Sequence, residues 1–255
     1  MKLATWNVNS LNVRLPHVLD WLAANQPDAL CLQETKQEDS KFPYEALKEI
    51  GYNAIHNGQK TYNGVAILSP HAMEHVHVDI PNFADEQKRV IAATIQGVRV
   101  ICAYVVNGQA IDSDKYQYKL RWLEAFQAWL TDELKQHQKL AVLGDYNIAP
   151  HDQDCHDPIA WQGQVLVSQP EREAFERLLA LGLHDSFRLF NKENGQYTWW
   201  DYRMAGFRRN LGMRIDHILV STPLSAACTA CVIDKAPRKL ERPSDHTPVV
   251  LELNI

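Results

Sequence analysis

No apolar run in this chain approaches the length needed to cross a bilayer, which removes a membrane-spanning helix from the expectations. Cysteine is scarce: the five residues Cys31, Cys102, Cys155, Cys228 and Cys231 are odd in number and scattered. That pattern excludes a disulfide framework and predicts reduced thiols and a cytoplasmic address. Cys228-Thr-Ala-Cys231 has the spacing of half a zinc site, but no second Cys/His pair stands at a matching distance, so it reads as part of a strand. The N-terminus lacks a basic-apolar-small pattern, because Met1-Lys2 runs straight into a strand-like segment. There is no linker, low-complexity tract or short-period repeat, and a single α/β domain over residues 1–255 is expected.

An excess of positive charge is also missing. The formal charge of −5 argues mildly against nucleic acid as a partner, but local distribution matters more than the sum. Arg203, Arg208, Arg209 and Arg214 crowd one segment, and Lys235, Arg238, Lys239 and Arg242 crowd another. Alone, each cluster reads as a solvated loop. Flanking Asp245-His246, they suggest a surface that faces an anion.

Strand-like stretches recur at Leu3–Trp6, Ala29–Gln33, Gly64–Leu68, Val90–Ile95, Val98–Val106, Leu140–Leu143, Ile215–Val220, Thr229–Ile233 and Val249–Leu253. Gln96-Gly97 joins two of them as a tight hairpin. Helical patterns cover Arg14–Asn25, Tyr116–Gln136 and Pro170–Leu181, the last opening with Pro-Glu-Arg-Glu and stopping at Gly182. Hairpins together with helical crossovers predict mixed sheets.

Polar residues gather where those strands end. Asn7 follows LATW, Glu34 follows ALCLQ, and Tyr104 and Asn107 close VICAYVVN. Asp145 and Asn147 follow LAVLG, and Asp216 lies in RIDHILV. Any one of these is explicable as a turn residue. Seven chemically consistent ones point to a cleft whose walls are rigid strand ends. Hard carboxylate and amide oxygens suit Mg²⁺, with Mn²⁺ as a substitute, and Glu34 is the natural ligand with Asn7 beside it. Asp145 can accept a proton from water and Asn147 can donate to a phosphate oxygen. His246, charged by a carboxylate partner, would stabilise a phosphorane-like transition state. The chemistry predicted is metal-assisted phosphodiester hydrolysis. His217, between Ile218 and Asp216 in a strand, is expected to pack rather than react. The loop HDQDCHDP, His151 to Pro158, is read as solvated or substrate-contacting. Asp245 and His246 lie between Pro243 and Pro248, a rigid loop in which both side chains are expected to converge on one site.

LATWNVNSLNVR, LCLQETK, YNGVAILS, GDYNIAP, GLHDSFR, YTWWDYR, RIDHILV and SDHTPVVLEL stand in the order and approximate spacing of the exonuclease III family, and the chain resembles that family over essentially its whole length. The resemblance implies a four-layer α-β-β-α sandwich with two packed mixed sheets. It further implies a Mg²⁺-dependent DNA repair enzyme acting at the 3′ ends and lesions of double-stranded DNA, as exonuclease and 3′-phosphatase or phosphodiesterase, and as a monomer. By the same resemblance Glu34, Asn7 and Asp245 belong to the metal side. Asp145 activates water, Asn147, Tyr104 and Asn107 serve the scissile phosphate, and Asp216 orients His246. Asp145 and His246 both fit the role of base. Trp199 lines the pocket for a base-less or terminal sugar, with Met213 and Ile215 as its other walls, and Trp200 is core. Arg203, Arg208 and Arg209 reach toward DNA phosphates. The same metal chemistry serves enzymes of inositol phosphates and phospholipid headgroups, but TWWDY and the arginine-rich loop favour DNA. A catalytically dead DNA-binding protein would have lost Glu34, Asp145 or His246, and all three are present.

Leu166 stands where that family usually has a small residue, and the loop after GDYNIAP is shorter than in many relatives. A leucine projecting into the path of the continuing strand would disfavour incision at internal abasic sites and leave 3′-end work intact. The alternative is that Leu166 packs against Trp161 beneath the loop.

Overall fold

The computed structural model describes all 255 residues. Fourteen strands follow in chain order: β1 (Lys2–Asn7), β2 (Ala29–Gln33), β3 (Asn53–Asn57), β4 (Val65–Ser69), β5 (Glu74–Val78), β6 (Val90–Ile95), β7 (Val98–Tyr104), β8 (Leu140–Asp145), β9 (Leu183–Asp185), β10 (Trp199–Trp200), β11 (Gly212–Met213), β12 (Asp216–Ser221), β13 (Cys228–Ile233) and β14 (Val249–Leu253). Two six-stranded sheets run in the orders β13-β14-β1-β2-β4-β3 and β5-β6-β7-β8-β12-β9, and β10 pairs only with β11. Both large sheets are mixed, since β1–β2 and β7–β8 are parallel and the remaining pairs antiparallel.

The layers follow from strand alternation, which sends successive side chains to opposite faces. Leu3 on β1, Cys31 on β2, Ile67 on β4, Cys102 on β7, Leu143 on β8 and Ile218 on β12 meet in one buried cluster between the sheets. Their strand neighbours face outward. Trp6, Leu30 and Leu32 pack beneath Val18, Trp21 and Leu22 of the helix Leu11–Asn25. Val142 and Leu219 pack against Trp122, Phe126 and Leu130 of the helix Asp114–Gln136 and Phe175 of the helix Gln169–Leu179. The result is helix, sheet, sheet, helix, as expected.

The two long outer helices on the second sheet begin on side-chain caps. Ser113 Oγ accepts from Tyr116 N at 3.1 Å, and Glu171 reaches back to Ser168 N at 3.1 Å. Each cap satisfies otherwise orphaned amides, and each places the helix start slightly ahead of the sequence-based estimate.

Three expectations fail inside the fold. Arg214 is not a solvated cation: it is 1% exposed and forked onto Asp185, with Nε at 2.7 Å from Asp154 Oδ1. Asp154, from the loop read as solvated, is fully buried and also accepts from Arg188. Burial alone would raise its pKa, but Arg214 and Arg188 hold it down at about 2. Arg238 is likewise buried, donating to the Ser244 carbonyl and lying over the Trp200 and Phe207 rings. A planar fork that meets two carboxylates can be buried because its charge and its donors are both paired. Arg214→Met should therefore leave Asp154 and Asp185 short of their partner and destabilise the fold by about 3–5 kcal/mol. Urea unfolding midpoints of the two proteins measure this, and an unchanged midpoint would contradict the network's importance.

Candidate active site

The inner face that supplies the apolar core changes character at one end. On β7 the inward series Val98, Val100 and Cys102 ends in Tyr104. On β8, Ala141 and Leu143 give way to Asp145, and on β12, Val220 and Ile218 give way to Asp216. Register aligns all three, with Tyr104 opposite Asp145 and Asp145 opposite Asp216. From the facing sheet, β1 ends its inward series Leu3, Thr5 with Asn7. Polar side chains of four strands thus meet at a single rim.

Asn7 is the bridge between the sheets. Its Nδ2 donates to Glu34 Oε1 and to Asp145 Oδ2, each at 2.9 Å. By alternation Gln33 points inward on β2, bonded to Thr5, so Glu34 should face the outer helices. It does not, because Glu34 takes a left-handed conformation with φ of 53° that redirects it into the site. Asn147, two residues beyond the inward-facing Asp145, also carries a left-handed φ of 49° and stays on the site side. Its Nδ2 donates to Val105 O at 2.9 Å and approaches Asp145 Oδ2 at 3.4 Å, while Asn107 donates to its Oδ1 at 2.9 Å.

His246 lies between two carboxylates. Nδ1 is 2.9 Å from Asp216 Oδ2, and Nε2 is 3.8 Å from Asp145 Oδ2. Burial by itself would drive the imidazole neutral, but Asp216, Asp145 and Asp245 raise its pKa to about 10. Asp145 is pushed up to about 7 by burial, with His246 opposing and Asp216 reinforcing the shift. Burial, then Glu34 and Asp145, lift the Tyr104 phenol well above its usual range, so it remains a donor.

Asp245 and His246 hold different partners on adjoining parts of the rim, close enough that each shifts the other's titration. Trp199 and His246 form an antiparallel bridge, which gives this segment strand-like alternation despite its prolines. Asp245 accepts from Asn9 Nδ2 and from Trp199 Nε1, each at 3.0 Å. Burial would raise its carboxyl, but His246 and the Trp199 and Asn9 donors keep it low. His217, as expected, packs away from the site: it contacts Ile148 O at 2.9 Å and is lowered to about 4 by burial and Arg214.

Glu34, Asp145 and His246 hold ligand-type atoms within 4.8 Å of one another. Two carboxylates converging beside an amide form a hard-oxygen donor set, and a dication there would relieve the burial of Asp145. The two carboxylates therefore fit a divalent metal at Glu34 and Asp145, with Asn7 joining them through its Nδ2 while its Oδ1 accepts from Asn9 N at 2.9 Å. Asp245 accepts from Asn9, whose Oδ1 in turn accepts from Lys36 beside Glu34.

Trp200 is fully buried, whereas Trp199 is partly exposed and packs on a cluster containing Met213, Ile215 and Leu166. Leu166 does not project as a prong. It is 5% exposed, carries φ of 76°, and shares its cluster with Val167 and Trp161. Its side chain belongs to a cluster with Ala149, Met213 and Ile215 against which Trp199 and Trp161 pack, so any steric effect comes through that packing. Arg203, Arg208 and Arg209 are exposed on the loop after Trp200.

Sequence reasoning missed Asn9, Arg14, Lys36 and Arg89. Arg14 joins Asn9 O at 2.5 Å to Pro243 O at 3.0 Å, tying two rim loops together. Lys36 lies 3.0 Å from Glu34 and 2.6 Å from Asn9 Oδ1. Arg89 stacks 4.8 Å from the Tyr104 ring. The first three adjoin the strand-end motifs in sequence, which was the available signal, but Arg89 had none.

Residues 4–246 match the family described as the Endonuclease/Exonuclease/phosphatase family. Exodeoxyribonuclease III of Haemophilus influenzae is 36% identical over 99% of both chains. Among solved structures, the 3′ phosphatase NExo from Neisseria, bound to a product DNA hairpin, is 52% identical with a TM-score of 0.99 over the whole of both chains. An AP endonuclease from Archaeoglobus fulgidus is 40% identical with a TM-score of 0.96, again over the whole of both chains. Matches of this length, on a sheet-end constellation of this geometry, make the chain a member of the endonuclease/exonuclease/phosphatase family.

Proposed function

We propose that this protein is a Mg²⁺-dependent DNA repair nuclease that hydrolyses phosphodiester and phosphomonoester bonds at 3′ ends of double-stranded DNA, with internal abasic-site incision as a weaker activity. The reading rests above all on the carboxylate pair Glu34 and Asp145 gathered with the Asp216–His246 pair, the ligand atoms of Glu34, Asp145 and His246 lying within 4.8 Å of one another. The relatives described as exodeoxyribonuclease III and as a DNA-bound 3′ phosphatase support the substrate. A cytoplasmic address fits the five free cysteines.

Glu34 and Asp145 would hold the metal, with Asn7 joining the two carboxylates through its Nδ2, and the metal would supply positive charge to a phosphate oxygen and polarise the bond under attack. Asp145 takes a proton from the attacking water as the new P–O bond forms and the bond to the leaving oxygen breaks. We assign the base to Asp145 because His246 is committed: its Nδ1–H is held by Asp216, and the imidazolium carries no lone pair to accept with. His246 instead offers Nε2–H and a full charge to the phosphoryl oxygens. Tyr104 donates its phenolic proton to the same group. Asn147 would donate the N–H that now faces Asp145, its other N–H being bound to Val105 O. Trp199, Met213 and Ile215 would receive the sugar, and Arg203, Arg208 and Arg209 the flanking phosphates.

Incubation of a 3′-recessed duplex, a 3′-phosphate duplex and an internal abasic duplex with Mg²⁺, then with chelator, tests the assignment. Both 3′-end reactions should be rapid and should stop on chelation. Turnover of a soluble inositol phosphate in preference to DNA would contradict it. In Asp145→Asn, hydrolysis should fall by about 10²–10⁴-fold with DNA binding retained, since the amide keeps the shape and loses the base. Wild-type turnover in that variant would remove Asp145 from the mechanism.

Leu166 sets the second expectation. Glycine accepts a φ of 76° without strain, so Leu166→Gly relaxes the backbone while opening space in the cluster on which Trp199 packs. Abasic-site incision should rise relative to 3′-phosphate removal, because an extrahelical sugar with a continuing strand needs the greater depth. An equal fall in both activities would show that Leu166 serves only to pack the loop.

A further inference from the structure

A buried histidine outside the site lies against the turn that aims Glu34. His56, on the edge strand β3, is held with Nε2 at 2.8 Å from Thr35 Oγ1. Its other ring nitrogen, Nδ1, lies 2.8 Å from Asp39 Oδ1, without the alignment of a hydrogen bond. Phe42 stacks on the opposite side of the ring, with centroids 4.2 Å apart. Thr35 is fully buried and His56 nearly so, whereas the Asp39 carboxylate is on the surface.

Thr35 follows Glu34 directly and is flanked by two left-handed residues, Glu34 at φ of 53° and Lys36 at φ of 54°. Such a turn persists only where its surroundings over-determine it. Main-chain bonds fix part of it: Ser10 N donates to Glu34 O, Leu11 N to Thr35 O, Thr35 N to Gly64 O and Lys36 N to Asn63 O. The Thr35 side chain has His56 as its partner.

The surroundings fit the Thr35–His56 pair closely. A Cβ added at Gly64 would fall 2.1 Å from Thr35 Oγ1, and one added at Gly58 would fall 2.1 Å from His56 Cε1. Two backbones therefore come in against the hydroxyl and the ring at distances that only glycine permits. Burial outweighs Asp39 and lowers the imidazole to about 4, so at neutral pH the ring is uncharged. A neutral ring with its proton on Nδ1, facing Asp39, leaves Nε2 as acceptor for the Thr35 hydroxyl. The arrangement resembles a hydroxyl–imidazole–carboxylate relay, but the hydroxyl is sealed from solvent and reaches no substrate. Its accessible effect is mechanical.

We propose that His56 is a positioning residue that fixes the carboxylate of Glu34 for metal binding by locking the Thr35 side chain at the apex of the turn. The proposal rests on the reading of Glu34 as a metal ligand. Partners one bond removed from a ligand commonly change metal affinity without changing the ligand itself.

Direct Mn²⁺ binding to the DNA-free protein, read from the electron paramagnetic resonance signal of the free ion, tests this apart from activity. His56→Phe keeps the stack on Phe42 and removes the ring nitrogens, and should weaken Mn²⁺ binding about tenfold. His56→Gln retains a polar group for Thr35 and should stay within about threefold of the parent protein, a rescue that loss of packing alone would not produce. Thr35→Val breaks the same bond from the other side with little change of shape, and should match His56→Phe even if the latter folds poorly. Folded His56→Phe and Thr35→Val proteins with parental Mn²⁺ affinity would overturn the proposal. Glu34→Gln is the control: reduced affinity there with parental affinity in the other two defeats only the role of His56. Unchanged affinity in Glu34→Gln defeats the metal assignment, and the proposal with it.

Discussion

Packing two sheets face to face places a boundary condition on every strand that contributes to the interface. Inward positions must be apolar, or paired with one another as Thr5 and Gln33 are, while they are covered, and they carry charge only where the cover ends. In this protein β1, β7, β8 and β12 reach that limit at the same end, and Asn7, Tyr104, Asp145 and Asp216 are the residues at which it happens. The site is therefore the last layer of the core. Its side chains inherit the rigidity of the strands beneath them and remain almost wholly buried, Asp145 and Asp216 at 1% exposure each.

Burial at that rim decides the chemistry. Isolated carboxylates there would be costly, so each one is matched: Asp216 to His246, Asp145 to Asn7 and the Asn147 amide nitrogen, Asp245 to Trp199 and Asn9. Three carboxylates around one imidazole keep it charged, which makes His246 a donor and leaves Asp145 as acceptor. Left-handed backbone at Glu34 completes the set by turning inward a side chain that alternation would send outward. The surrounding main-chain hydrogen bonds hold that turn in place.

The central strands and most of the site were legible in the sequence because both follow period two. Ala29–Gln33, Val90–Ile95 and Val249–Leu253 are strands with the expected bounds, and the polar strand-end residues do assemble. The strands β3, β5 and β9 were not foreseen. All three are sheet edges, where one side of the strand lacks a partner and the apolar signal is thin, as in Glu-His-Val-His-Val of β5. Charge was the least legible feature. Arg214 and Asp154 look like surface residues in the sequence because the partners that allow their burial lie on separate segments, such as Asp185 and Arg188. The strand-like bridge between His246 and Trp199 was missed for a similar reason, since the two residues lie 47 positions apart.

The central claim is that the carboxylates around His246 keep it an imidazolium at the pH of catalysis. ¹⁵N NMR of the histidine side chains of the metal-free protein measures this directly. The account predicts that both ring nitrogens of His246 stay protonated from pH 6 through pH 8, since Asp216 and its neighbours raise the group to about 10. Titration of His246 with a midpoint near the ordinary histidine value of about 6.5 would contradict it.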